Sequence, residues 1–305
     1  MRSRIMWSES QHQAFIQLCE MGEVFFGVDW LESDIRPRLD PLIVGPTGMG
    51  KSHLVRSVAE MLKVPLLRLS YGEWMVTGSR CALTTIARIH EFVTSNPMGI
   101  IHIDEVDKAR VAFTTEWSIY AYAEMFFLLD RNISQPAKNE QWTPELNAKL
   151  RHNFWIIGSG TWQVLWDTIA KPSIGFGDTT DNDAGVYDAI KELVRKKEII
   201  PKEFLKRFCN ELILIPPATI TDYELAADVF GIEKLAKELE VPLDYQGAVQ
   251  SQGGARWLEE TYASLLMQAY RMGRADLLQL RKDPTVADDG FVEEVPWEPF
   301  IEGKE

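Results

Sequence analysis

The segment PLIVGPTGMGKSHLVRSVAEML constrains the chain more than any other. An apolar run ends at Val44, GPTGMGKS occupies Gly45 to Ser52, and a helix-forming stretch opens near Lys51. The octapeptide fits GxxxxGK[S/T] in the strand–loop–helix context that this pattern requires. Gly45, Gly48 and Gly50 let the backbone turn tightly, with Pro46, Thr47 and Met49 completing a loop whose N–H groups point inward at phosphate oxygens. The following helix adds the partial positive charge of its N-terminus. Lys51 is placed to reach the β- and γ-phosphates of a nucleoside triphosphate, and the Ser52 hydroxyl to help hold Mg²⁺. A glycine-rich turn with an incidental lysine is the competing reading, and the flanking strand and helix weigh against it.

About fifty residues on comes GIIHIDEVDKA, Gly99 to Ala109. Ile100, Ile101 and Ile103 read as a buried strand with Asp104 and Glu105 at its carboxyl end, and His102 as a core or sheet-face residue within it. In a parallel sheet that end faces the same crevice as the phosphate loop. Asp104 is then placed to hold Mg²⁺, and Glu105 to orient and polarise an attacking water. Two adjacent carboxylates after an apolar strand would be costly to bury without a cation.

Five apolar runs read as strands: Pro41–Val44, Val64–Leu69, Gly99–Asp104, Phe154–Ser159 and Glu211–Ile215. Helical segments alternate with them at Ser52–Leu62, Leu83–Thr94, Glu116–Asp130 and Tyr187–Lys197, and an amphipathic helix at Ser8–Phe26, with Phe15, Ile16, Leu18 and Met21 apolar, precedes them. Strands alternating with helices predict an α/β fold with a parallel sheet covered on both faces. After Pro216 and Pro217 only helical periods occur, at Ile220–Phe230, Ile232–Leu239 and Ala255–Met272. The expected division is an α/β nucleotide-binding domain over 1–218, a small helical domain over 219–282 and an acidic tail over 283–305.

The net charge of −13 weighs against wholesale coating of nucleic acid or an anionic membrane, although it leaves a local basic patch open. Cys19, Cys81 and Cys209 are scattered without CxxC spacing, so neither a disulfide framework nor a zinc site is expected, and a reducing cytoplasm fits. MRSRIMWSESQHQ contains no apolar core of a signal peptide, and the apolar stretch Ile119–Leu129 carries Glu124 and is too short to span a bilayer. No membrane association is expected.

With these motifs in order, the chain resembles the AAA+ ATPase superfamily over roughly Leu42 to Met272. GPTGMGKS and IIHIDEVDKA are most similar to the HslU and ClpX unfoldases, with RuvB-type motors more distant. The resemblance implies a P-loop AAA+ fold of a five-stranded parallel sheet flanked by helices, followed by a small all-α lid. It implies ATP and Mg²⁺ as cofactors, ATP hydrolysis, and a homo-oligomer, by family expectation a hexameric ring. It also implies three further roles. The polar residue ending the strand in NFWIIGSGTWQ, Ser159 or in the alternative register Thr161, would contact the γ-phosphate or its water as sensor 1. Arg207, in IIPKEFLKRFCNELILIPP, would be an arginine finger reaching the next subunit's site. Arg256, in QGGARWLEETYASLL, would reach the bound phosphates from the lid as sensor 2.

The chain departs from the unfoldases at the pore loop, where their gripping tyrosine is replaced within Gly78-Ser79-Arg80-Cys81; Trp74 is nearby, but its spacing argues against a substitute role. No counterpart of the family's adenine-side motif stands out near the N-terminus. Three functions follow from the shared ATPase core. The first is a ring-forming remodeller of a separate protein partner. The second is a nucleic-acid-associated motor or loader, using Arg80 and Arg88 on phosphates. The third is a nucleotide-gated scaffold, against which the set Lys51, Asp104, Glu105 and Arg207 argues.

Overall fold

A computed structural model describes residues 8–27, 38–74, 85–110, 116–133, 142–170, 202–208 and 212–277, together with positions 192, 194 and 200. The helix expected over Tyr187–Lys197, the loop Gly78–Cys81 and the acidic tail lie largely or wholly outside these residues.

The five expected strands form. They are β1 (Leu42–Val44), β2 (Leu66–Ser70), β3 (Gly99–Asp104), β4 (Phe154–Gly160) and β5 (Leu212–Leu214). They make one sheet in the order β2-β3-β4-β1-β5, with every pair parallel. The central strands are continuous apolar runs because both faces are covered: all of Phe154–Gly160 is buried, as are the first five residues of β3. One face packs Ile43, Ile100, Trp155, Ile157 and Ile213 against α1 (Glu9–Gly27) and α2 (Lys51–Leu62). The other packs Leu42, Ile101, Ile103 and Ile156 against α3 (Thr85–Ser95) and α4 (Glu116–Leu129). Each such aliphatic side chain stabilises the fold by about 1.5–3 kcal/mol.

The face of α1 differs from expectation. Gln11, Ala14, Leu18, Gly22 and Phe25 are buried, whereas Ile16 points outward at 40% exposure. Small residues bring this helix close to its neighbours: a Cβ on Gly22 would lie 2.4 Å from Leu62 and 2.9 Å from Trp155. Two helices of the α/β region escape the periodicity reading, α5 (Pro144–Asn153) and α6 (Gln163–Ala170). Thr143 caps the former by accepting a hydrogen bond from the amide of Leu146, with Pro144 at its first position.

Past Pro217 the described chain is helical: α7 (Ile220–Val229), α8 (Ile232–Glu238), α9 (Tyr245–Ser251) and α10 (Ala255–Arg271). Thr219 and Asp222 form a reciprocal capping box at the start of α7. Among the described residues no helix is long and apolar enough to cross a membrane.

Candidate nucleotide site

All five strands run the same way, so Val44, Ser70, Asp104 and Gly160 end at one edge of the sheet. β4 lies between β1 and β3, with Ile43 opposite Ser159 and Ile103 opposite Gly158. The loop after β1 and the carboxylates after β3 therefore face each other across the end of β4, in the crevice where open α/β sheets take ligands.

The loop's glycines are used for their geometry. Gly48 and Gly50 have φ of 84° and 69°, values that side-chain-bearing residues rarely adopt. Gly50 is the N-cap of α2 and offers no side-chain cap, so the first amides of that helix remain for a ligand. Gly45, Pro46 and Met49 are buried beneath the loop. The Met49 carbonyl accepts a hydrogen bond from Nε2 of Gln11 at 2.5 Å, which ties α1 to the loop.

An open pocket of about 300 Å³ is lined by Thr47, Gly48, Gly50, Lys51 and Ser52 from the loop, Asp104 and Glu105 after β3, and Gly160 and Thr161 after β4. Ala255, Arg256 and Glu259 of α10 complete it. Lys51 Nζ donates to the carbonyls of Gly45 and Pro46 at 2.7 and 2.8 Å. Burial pulls its pKa down to about 8, against the opposing pull of Asp104 and Asp107.

Ser52 Oγ donates to Asp104 Oδ2 at 2.5 Å, and both side chains border the pocket. A hydroxyl and a carboxylate oxygen brought together beside this pocket are a donor set that suits Mg²⁺, which takes one or two protein oxygens and completes its shell with water and phosphate. Burial by itself would raise the Asp104 pKa. The neighbouring His102 and hydrogen bonds from Ser52, Ser159 and the Glu105 amide outweigh it and hold the carboxyl below its ordinary range.

Glu105 has φ of 60°, an uncommon conformation for a residue with a side chain. Its Oε2 accepts from Ser70 Oγ at 3.0 Å and its Oε1 from Lys108 Nζ, so the carboxylate is held at the mouth of the pocket.

Ser159, expected to contact the γ-phosphate, does not line this pocket. It is fully buried, its Oγ donates to Asp104 Oδ1 at 2.7 Å, and it lies 2.8 Å from His102 Nε2. Both hydrogen-bonding directions are thus taken up behind the pocket wall. Thr161, the alternative register, lines the pocket, with its Oγ1 3.5 Å from that of Thr47. Burial pushes the His102 pKa down to about 4, so the ring is neutral near pH 7.

Arg207 does not line this pocket. Its Nε and Nη2 each donate to Asp130 at 3.0 Å, Nη1 donates to the Glu203 carbonyl, and the guanidinium lies 4.1 Å from the Phe126 ring centroid. Trp74 is buried and donates to Glu124 at 2.9 Å, which leaves it no gripping role.

Sequence reasoning missed Gln11, Ser70, Glu259 and the tie from His102 to Ser159. The one available signal was Gln11 itself, a polar residue in register with the buried stripe of α1. Residues 41–160 match the family model described as the ATPase family associated with various cellular activities (AAA). The five-stranded parallel sheet, its flanking helices and the helical region that follows have the P-loop AAA+ fold, in keeping with that match.

Proposed function

We propose that this chain is a Mg²⁺-dependent ATPase that works at subunit interfaces of a homo-oligomeric, hexameric ring in the cytoplasm and remodels a separate protein partner. The observation that carries the reading is the convergence of Lys51, Ser52, Asp104, Glu105 and Arg256 on one pocket from three distant parts of the chain.

The free amides of the loop and of the first turn of α2 bind the triphosphate, and Lys51 neutralises charge on its β- and γ-phosphates. Ser52 and Asp104 hold Mg²⁺, which when bound neutralises charge on the phosphate oxygens. Glu105 orients a water and accepts its proton as the water oxygen bonds to the γ-phosphorus and the β–γ bridging oxygen leaves with ADP. Thr161 takes the sensor 1 place at the γ-phosphate. Arg256 reports the phosphates to a lid that begins at about residue 219, and Arg207 serves the neighbouring subunit's pocket.

A protein partner is favoured over nucleic acid by the charge of −13 and by Arg88, whose guanidinium is engaged by Glu73 and by the Arg68 carbonyl. The deciding measurement is the ATPase rate of the assembled protein with unfolded polypeptide, single-stranded DNA or RNA added. Stimulation by polypeptide alone is expected; stimulation by a nucleic acid alone would replace the partner class. Calorimetry showing no heat when the protein meets Mg-ATP would remove the ATPase reading itself.

A further inference from the structure

We propose that His102 is a positioning residue for the magnesium-holding carboxylate, acting on Asp104 through Ser159. The inference deepens the ATPase reading and rests on it.

Alternation along β3 puts Ile100, His102 and Asp104 on one face of the sheet, and alternation along β4 puts Trp155, Ile157 and Ser159 on the same face. His102 is thus a polar residue set between the apolar Ile100 and Ile157 and the polar pair Asp104 and Ser159, and it has no exposed surface. Its Nε2 lies 2.8 Å from Ser159 Oγ. Because Ser159 spends its only hydrogen on Asp104 Oδ1, its oxygen must act as acceptor towards the ring, and Nε2 carries the hydrogen. The chain of donors runs from the imidazole to the serine to the carboxylate.

Packing alone gives no reason for a histidine here. Nδ1 is buried without a partner among the described residues, a cost that leucine or isoleucine would avoid. The return is at Asp104. Oδ1 is fixed by Ser159 and by the Glu105 amide at 3.0 Å, and this turns Oδ2 towards Ser52 and the pocket. Partners behind a ligating group commonly set its orientation and the affinity of the metal it holds.

The test titrates Mn²⁺, read by electron paramagnetic resonance, into the protein–ADP complex of the full chain. Ser159→Ala and His102→Leu are each expected to weaken Mn²⁺ about tenfold, with ADP affinity in the absence of metal unchanged. The double variant should bind Mn²⁺ no more weakly than Ser159→Ala alone, since both steps lie on one path. His102→Gln, which keeps an N–H donor, should recover most of the loss. Mn²⁺ affinities within about twofold of wild type, or losses that add in the double variant, would overturn the proposal. If His102→Leu does not fold, His102→Phe takes its place under the same criteria. Wild-type protein that binds neither ADP nor Mn²⁺ would sink the ATPase reading and the relay together. Wild-type binding with unmoved variants would sink the relay alone.

Discussion

The amide of Ala255 donates to the carbonyl of Gly48 at 2.8 Å, so the first turn of α10 is hydrogen-bonded to the phosphate loop. The contact is backbone against backbone. A Cβ on Gly48 would lie 2.6 Å from the Gly253 carbonyl oxygen, and one on Gly254 would lie 2.6 Å from Gly48. On its far side Gly254 donates to the buried hydroxyl of Tyr223 at 2.7 Å, which fixes α10 to α7. The loop, Arg256 and the body of the helical region thus move as one or separate at this junction.

Gly254→Ala should break that junction. The residue sits at φ 57°, ψ −142°, a conformation nearly confined to glycine, and the added methyl collides with Gly48. We expect the thermal midpoint to fall by the equivalent of about 1–3 kcal/mol and ADP affinity, by calorimetry, to drop about tenfold or more. Gly231→Ala is the control. Its φ of 73° is also left-handed, but a Cβ there meets nothing within 4 Å. It should cost about 1 kcal/mol and leave ADP binding alone.

Arg131 makes a second junction, at the opposite edge of the sheet. It is fully buried, donates to Asp40 Oδ1 at 2.6 Å and to the carbonyls of Leu129 and Phe154, and so joins the end of α4 to the starts of β1 and β4. Arg131→Met leaves the Asp40 charge buried. Urea unfolding should show a loss of about 3–5 kcal/mol, and adding Asp40→Leu should recover part of it. Equal losses for the single and double variants would mean that the ion pair is not what Arg131 contributes.

Tyr71 supplies a pH dependence away from the pocket. Burial, assisted by Tyr122, pushes its pKa up to about 12, and its hydroxyl has no partner among the described residues. The folded state therefore holds this proton more tightly than the unfolded chain, whose tyrosine ionises near 10. Its contribution is fully present below pH 10 and is lost as pH rises through 12. Tyr71→Phe should flatten that part of a stability-versus-pH profile. At pH 7 it should be neutral or stabilising by up to about 1 kcal/mol, because it removes an unpaired buried hydroxyl. An unchanged alkaline slope would assign the loss to other groups.

What was legible in the sequence was what is local. The strands are short, largely apolar runs, and the phosphate loop is an unbroken octapeptide whose glycines have no other common use in that context. Helix α9 was overlooked although Asp244 caps it, accepting from Gly247 at 2.8 Å. Seven residues give too short a period to register against noise. The face of α1 was misjudged because the small residues Ala14 and Gly22 are buried in it, Gly22 by close approach to Leu62 and Trp155 rather than by bulk. The ties around the pocket, from Gln11 to Met49, Ser70 to Glu105 and Ser159 to Asp104, join residues thirty-five or more positions apart. Nothing in linear spacing announces them. Ser159 lies within β4 and Thr161 just past its end, which is why only Thr161 lines the pocket, and where a strand stops is set by its pairing, not by its composition.

Arg207 carries the sharpest expectation about assembly. Its guanidinium is bound to Asp130 and stacked on Phe126, outside the pocket of its own chain, and the proposed reading has it serve the pocket of the neighbouring subunit. Arg207→Ala should leave ADP binding intact and lower turnover by about 10³-fold or more, as loss of an arginine finger does. Glu105→Gln should be similarly inactive while holding ATP. Mixed in equal amounts before assembly, the two inactive proteins should regain roughly a quarter of wild-type activity. Random mixing puts an intact pocket against an intact Arg207 at one interface in four in a head-to-tail ring. The check is a steady-state ATPase assay across mixing ratios, peaking at equal parts. A mixture no more active than its components would confine Arg207 to the subunit that carries it, and its pairing with Asp130 would then be a structural contact.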